Sequence, residues 1–532
     1  MTYKKHFVTP PVPQTQPIPG REAEMTKNEA GGYGFTTSRW NQLRRFIMIG
    51  TEGGSYYVGE KKLTLDNVKA VRECIAENGV EVVRIAEEIS LAGRAPKNSP
   101  AILVLALAHA EGDMTTRRAV REALPKVCRT ATHLFEFSEY IQTFGKWGRG
   151  LRSAVGRWYD NKKPENLAMQ LIKYRQRDGW EHRDVLRLSH PVLSSPEKNY
   201  LARWAVGKDV HWEGMLPPGV TLVQAFERVQ KATDEKEVLS LIERYNLPRE
   251  ALPTQWLNST KVWEALLKDM PITAMIRNLG KMSSLGMLDT FSEGEKKVAS
   301  QLRDVEVLRN GRVHPINLLL ALKTYQLGHG IKGNLSWNVS TKVVQALEDA
   351  FYLSFVNIEP ISQNVLISVD VSGSMHGARV NGYENLLSVE AAAALGMVYM
   401  KANPNTHLIG VDFSIHEPQV NSNMRLDEAV RRILAGTGGG TSLQLPFVWA
   451  RQRKMPVDAF LMVTDSETWA GRTHPADEFN QFRKFRPARL LSVQTAAYGT
   501  SITDPKDENA MEVAGFDTSV LEVANMFFSG QI

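Results

Sequence analysis

Cysteine is scarce: across 532 residues only Cys74 and Cys128 occur. Two scattered thiols form neither a metal-ligand pair nor a disulfide framework, and they suit a reducing compartment, so the expected location is cytoplasmic. Long apolar runs are missing too. The stretch AILVLALAHA, Ala101 to Ala110, falls well short of the roughly 18 to 20 residues of a membrane span and is expected to be a core helix. The opening MTYKKHFVTPPVPQTQPIPG carries charges but no apolar h-region, which predicts no secretory leader. Also lacking are an HExxH pair, a nucleophile elbow and a dinucleotide fingerprint. The chain therefore reads as a non-enzyme.

What is present is ordinary globular composition, 43% hydrophobic and 23% charged, at a length that calls for two or more domains. The net charge of +6 hides an asymmetry. Residues 361–532 hold 14 Lys and Arg against 18 Asp and Glu, leaving 50 against 40 in the first 360. A basic excess confined to the N-terminal two-thirds points to nucleic acid there, with solubility as the bland alternative.

Residues 1–30 are Pro-rich and polar, expected as a flexible or extended tail. Over 31–360 apolar residues recur at helical spacing almost without interruption. Asn67–Asn78, Val80–Ser90, Ser99–Ala110, Pro164–Arg177, Ile272–Leu279 and Thr341–Phe355 are among the candidate helices. Paired helices without strands predict an α-solenoid of HEAT or armadillo type, roughly 40 to 47 residues per pair; a compact all-α domain is the alternative. Over 361–532 the pattern becomes βαβ, with strands expected at Val365–Val369, Leu408–Phe413, Ala459–Val463 and Leu490–Thr495. That predicts one doubly wound α/β domain.

The most informative stretch is NVLISVDVSGSM, Asn364 to Met375. A buried β-branched strand ends in Asp370, Ser372 and Ser374, at the edge where open α/β sheets place ligands. Downstream, AGTGGGTS delivers Thr441, and the strand of VDAFLMVTDSE ends in Asp465. A carboxylate with two hydroxyls, a third hydroxyl and a second carboxylate, from three loops, make a hard-oxygen set for Mg²⁺ foremost, or Mn²⁺ or Ca²⁺. The glycine loop lacks the Lys of a P-loop, which dismisses a phosphate cradle. The three-part pattern is that of a metal-ion-dependent adhesion site and resembles a von Willebrand factor A domain. Such a site leaves one position open for a partner's Glu or Asp. In TDSE, Ser466 stands where many A domains have glycine after the aspartate, and Glu467 is expected to compete for, or supplement, the metal shell.

The densest basic cluster, Lys146 to His190, interleaves cations with Trp147, Trp158, Tyr159, Tyr174 and Trp180. On the expected helix Pro164–Arg177, Lys173 and Arg177 stand four apart and share a face, while Leu167, Leu171 and Tyr174 fall toward another. Arg175, His182, Arg183, Arg187 and His190 extend the cluster. Aromatics among cations without a recognition-helix motif favour single-stranded or folded RNA over duplex DNA. A second set, Arg277 and Lys281 with Arg303 and Arg312 further on, is expected to line the interior and hold single-stranded ends.

FIMIGTEGGSYYVGEKKL, IKYRQRDGWEHRDVLRLSH, EALLKDMPITAMIRNLGKM and the closing α/β domain together resemble the TROVE-domain family of the Ro 60 kDa autoantigen, from about residue 33 onward, and most closely a bacterial Ro-sixty-related member. The resemblance implies a HEAT-repeat ring closed by the A domain, monomeric and noncatalytic. It implies Y RNA on the outer surface at Lys173, Arg177 and His190, and ends of misfolded RNA in the central hole. It further implies a role in RNA quality control and stress survival beside a 3′-to-5′ exoribonuclease such as polynucleotide phosphorylase. The competing reading is a metal-dependent assembly scaffold in which the A domain grips an acidic partner and RNA binding is secondary.

Overall fold

The computed structural model describes residues 11–177, 179–355 and 358–532. Helices run from Arg39–Ile49 to Thr341–Leu353, and an α/β unit follows from Val365. The expected class holds: an all-α array closed into a ring by a doubly wound domain.

The strands, in chain order, are β1 (Met25–Lys27), β2 (Tyr33–Thr36), β3 (Gln176–Arg177), β4 (Trp180–Glu181), β5 (Val365–Asp370), β6 (Thr406–Val411), β7 (Ile415–His416), β8 (Ala459–Thr464), β9 (Arg489–Gln494), β10 (Thr500–Ser501) and β11 (Ala510–Ala514). The main sheet has the order β11-β9-β8-β5-β6-β7, parallel except for β7. β5 and β8 are buried along their whole length. Alternate residues face opposite layers: Leu366 and Phe460 join a core with Phe447, Phe479 and Phe482, whereas Ile367 and Val369 face Val389 and Ala393. Helices on both faces are why these strands read as unbroken apolar runs.

The expected break between Asn78 and Val80 is a kink in one long helix, Glu60–Ala92, with Asn78 at φ −155° and ψ 83°. At Gly79 the helix Met114–Val127 crosses so closely that a Cβ would meet Thr116 at 2.3 Å. Helices that escaped the sequence reading include Arg39–Ile49, His182–Ser189, Val305–Asn310 and Thr518–Phe528.

The helix expected over Pro164–Arg177 stops at Lys173. The chain turns out into the antiparallel pair β3 and β4, with Gly179 at φ 82° in the turn. Trp180 is the reason: it is 8% exposed, and its indole N–H donates to Glu139 Oε2. Lys173 and Arg177 therefore do not share a helix face.

The proposed tail is also revised from residue 11 onward; residues 1–10 lie outside the described chain. Gln14 is fully buried against the α/β domain, where its side chain meets Gln444, Thr468 and the Gly471 N–H. β1 pairs with β2, and β2 pairs with β10 of the distant C-terminal domain. The helical array is thus tied at its start by Arg45, bonded to Glu512 and to the Tyr498 and Thr500 carbonyls. At its end it is tied by Lys323 to Glu390 and by Glu348 to the Leu426 N–H. The α/β domain bridges the two ends, and that closes the ring.

Candidate functional site

β5 delivers Asp370 to the C-terminal edge of the sheet, and the turn after it begins the short helix Gly373–Gly377. Asp370 Oδ1 accepts the Ser372 N–H at 3.0 Å, and Oδ2 accepts the Thr464 hydroxyl at 2.5 Å. The hydroxyls of Ser372 and Ser374 lie 3.2 Å apart, and Ser374 also bonds Asp465. The glycine loop is stitched in by the Gly373 N–H donating to Gly439 O at 2.9 Å. All five expected ligands, Asp370, Ser372, Ser374, Thr441 and Asp465, are between 0% and 3% exposed.

Burial pushes both aspartate carboxyls up, and the neighbouring charge of Asp465 pushes Asp370 further. Two carboxylates that feel one another's charge and are bonded to hydroxyls and backbone N–H groups fit a divalent cation by charge and by donor hardness. Such an ion would supply the missing positive charge and an electrophilic open position. The five side chains would hold and orient it.

Glu467 is directed elsewhere. Its Oε2 accepts the Ala30 N–H at 2.8 Å and its Oε1 the Thr500 hydroxyl at 3.4 Å. Burial, then the nearby Asp465 charge, raise its carboxyl to about 8. It fastens the N-terminal segment and is not turned to the ligand set.

Asp412, just after β6, was not anticipated as part of this edge. It is fully buried, its Oδ1 lies 2.9 Å from His416 Nε2, and its Oδ2 accepts the Gly439 N–H at 3.2 Å. It shapes the glycine loop; an Asp ending an apolar strand was its one sequence signal. Three aromatic rings lie on the glycines of these loops. A Cβ at Gly377, Gly439 or Gly440 would meet Tyr56, Phe413 or Trp469 at 2.1, 1.9 and 3.0 Å. These rings are 56%, 64% and 41% exposed. The phenol of Tyr57 reaches the Ser374 hydroxyl itself.

Of the basic cluster, Arg175, Arg177, Arg183, Arg187 and His190 are exposed and Lys173 half-buried. Lys173, Arg175 and Arg177 leave the helix end one after another into β3. Arg175 sits over the Phe226 ring at 5.2 Å, and Arg183 is engaged by Glu181 at 3.3 Å. His190 caps its helix in the left-handed region, φ 46°. His182 does not belong to this surface. It is 3% exposed, with Nδ1 3.0 Å from the Tyr159 hydroxyl and Nε2 3.2 Å from Gln170 O. Burial lowers its imidazole to about 4, so it is a neutral core residue.

Arg277 and Lys281 line one cavity, as their spacing on the helix Ile272–Ser284 requires. Arg303 does not join them, being held by Asp349 at 2.7 Å. Arg312 lies beside Arg129, whose guanidinium it influences, and borders a different cavity.

Comparison with known proteins matches residues 26–326 to the TROVE domain and 364–528 to the Ro60 vWA domain. A curated relative from Deinococcus radiodurans, named RNA-binding protein RO60, is 32% identical over 528 residues, covering 98% of both chains. One of the same name from Caenorhabditis elegans is 33% identical over 96% of this chain and 90% of its own. The crystal structure of the Deinococcus radiodurans RO (RSR) protein superposes with a TM-score of 0.72 at 32% identity. That match covers 93% of this chain and all of the other.

Proposed function

As a member of the TROVE-domain family with the Ro60-type von Willebrand factor A domain, the chain is, we propose, a noncatalytic RNA-binding ring. Y RNA sits on its outer surface and single-stranded ends of misfolded RNA bind near Arg277 and Lys281. The observation that carries the reading is the row of cations Lys173, Arg175 and Arg177 at the end of a helix, with Arg187 and His190 exposed beyond it. Arginine on a short projecting hairpin meets phosphate without first breaking buried contacts. The relatives' name, RNA-binding protein, supports the same reading. The role is RNA quality control in the cytoplasm under stress, in partnership with a 3′-to-5′ exoribonuclease such as polynucleotide phosphorylase. A Mg²⁺ ion occupies the Asp370 site.

Noncatalytic action is favoured by the donors. The Asp370 edge offers two carboxylates with three hydroxyls, whereas nuclease metal centres draw on larger clusters of carboxylates. The double variant Lys173→Ala, Arg177→Ala tests the outer surface by filter binding of a folded small RNA. Affinity falls, and the slope of log K against log salt drops by about 0.7 to 0.9 per lost phosphate contact. An unchanged slope rejects the assignment.

A second reading, assembly through the metal site, is favoured by the exposed Tyr56, Phe413 and Trp469 on its loops. Such rings border a docking face for an acidic protein segment.

A further inference from the structure

We infer that the cavity between the helices Ile272–Ser284 and Pro315–Gln326 is a nucleobase pocket, holding one nucleotide of a single-stranded RNA. The inference rests on the RNA-binding reading above and specifies what one part of the wall recognises.

The cavity measures about 710 Å³, inside the range of about 300 to 1,000 Å³ typical of small-ligand sites. Its walls are apolar: Leu257, Ile276, Leu320 and Leu335, with the Trp337 indole. Trp337 lies close over Gly280, where a Cβ would meet its ring at 2.7 Å, and is stacked at 20° on Tyr325. Its indole N–H donates to Tyr325 O at 3.1 Å, so the polar atom is satisfied and the ring is fixed as an apolar surface.

The charge of the lining is one-sided. Arg249, Arg277 and Lys281 contribute to it, and no Asp or Glu does. Arg249 and Lys281 lean on neutral amides, Asn278 at 2.9 Å and Asn258 at 3.0 Å. Neither charge is neutralised by those contacts, and Arg277 has no ion pair among the described residues. The cavity of about 720 Å³ beside Arg175 differs, since Glu181 and Glu227 line it with the cations. An apolar slot edged by uncompensated cations suits a flat heterocycle bearing a phosphate. Aromatic walls take any base by its face, so little base preference follows.

Access is shaped by a hairpin. Residues 328–337 fold back through the Trp337 N–H to Gly328 O and the Gly330 N–H to Leu335 O, both 2.8 Å. This hairpin brings Leu335 and Trp337 to the cavity, and its Lys332 reaches Glu384 at 3.5 Å. Tyr383, next in the chain, also lines the cavity and donates its hydroxyl to Asn317 at 3.3 Å. The pocket therefore draws on both domains.

The test uses the full chain and a short oligoadenylate with 2-aminopurine at its 3′ end. Stacking on the wall quenches the fluorescence. Trp337→Leu relieves the quench and weakens binding about tenfold, and an abasic 3′ end weakens wild-type binding to the same degree. Arg277→Ala, an exposed change that spares the fold, weakens binding and flattens the salt dependence. If the tailed oligonucleotide binds but neither variant nor the abasic end alters affinity or quench, the pocket is wrong while RNA binding stands. If neither this oligonucleotide nor folded RNA binds, the RNA reading itself falls. Competition by adenosine monophosphate at the oligonucleotide's own concentration would assign the cavity to free nucleotides and overturn the inference.

Discussion

Asp370 and Asp465 spend their hydrogen bonds on the loops that carry them, the Ser372 N–H and Thr464 hydroxyl for one, Ser374 and the Glu467 N–H for the other. None of these donors carries a full charge, so burying both carboxylates is costly until a cation lies between them. Binding to the folded state alone stabilises by about 2.7 kcal/mol at a hundredfold excess over Kd. Mg²⁺ should therefore raise the melting temperature of the wild type, and a chelator should reverse the rise. Asp370→Asn removes one charge, keeps the volume and should abolish the response, with an unliganded melting temperature at or above that of the wild type. Equal magnesium shifts in both proteins, by scanning calorimetry, would reduce Asp370 to a turn residue. The places of Asp370 and Asp465 at the sheet edge were readable because each stands at the end of a buried strand. That of Glu467 was not, since its partners Ala30 and Thr500 come from remote segments.

Elements whose signal is local survive the passage from sequence to structure. β5 was expected at Val365–Val369 and spans Val365–Asp370; β8 was expected at Ala459–Val463 and spans Ala459–Thr464. β11 escaped because it is a half-exposed edge with Glu512 at its centre. The hairpin of β3 and β4 escaped for another reason: Pro164–Lys173 is a good helix, and nothing nearby stops it. What stops it is Trp180, seated by a bond to Glu139 some forty residues earlier in the chain. Anchoring from that distance overrides helical periodicity. Trp180→Ala should cost about 3 kcal/mol in urea unfolding, whereas Trp180→Phe, which loses the N–H bond and keeps a ring, should cost about 1 kcal/mol. Equal costs would mean that ring burial does not seat the hairpin. The Ala variant should also weaken folded-RNA binding, because Arg177 pairs directly across from Trp180.

At the scale of the whole molecule, sequence order and spatial order part company. The chain's first described residues belong physically with its last domain: Gln14 lies in that domain, β2 borrows β10, and Asn67 donates to Ala497 O at 2.9 Å. The other end of the array is fastened as well, through Thr518 to Ser354 O at 2.9 Å and Asn385 to Thr324 at 2.6 Å. A basic N-terminal two-thirds and an acidic remainder pointed to nucleic acid on the first part, not to where the two parts touch. With seams on both sides, the helical array and the α/β domain should unfold as one cooperative unit. Arg45 is the residue on which the first seam turns. It is 2% exposed, and it gives two buried carbonyls and one carboxylate their donors at once. Removing a buried ion-pair partner leaves the other charge stranded and costs about 3 to 5 kcal/mol. Arg45→Met keeps most of the volume and strands Glu512, whereas Arg45→Met with Glu512→Gln removes the charge as well. Calorimetry should show one transition for the wild type, a marked fall in melting temperature for the single variant, and partial recovery for the double. Two resolved transitions in the wild type would mean that the ring is merely touching at its seams. A double variant no better than the single would mean that the carbonyls of Tyr498 and Thr500, not the charge of Glu512, are what Arg45 serves.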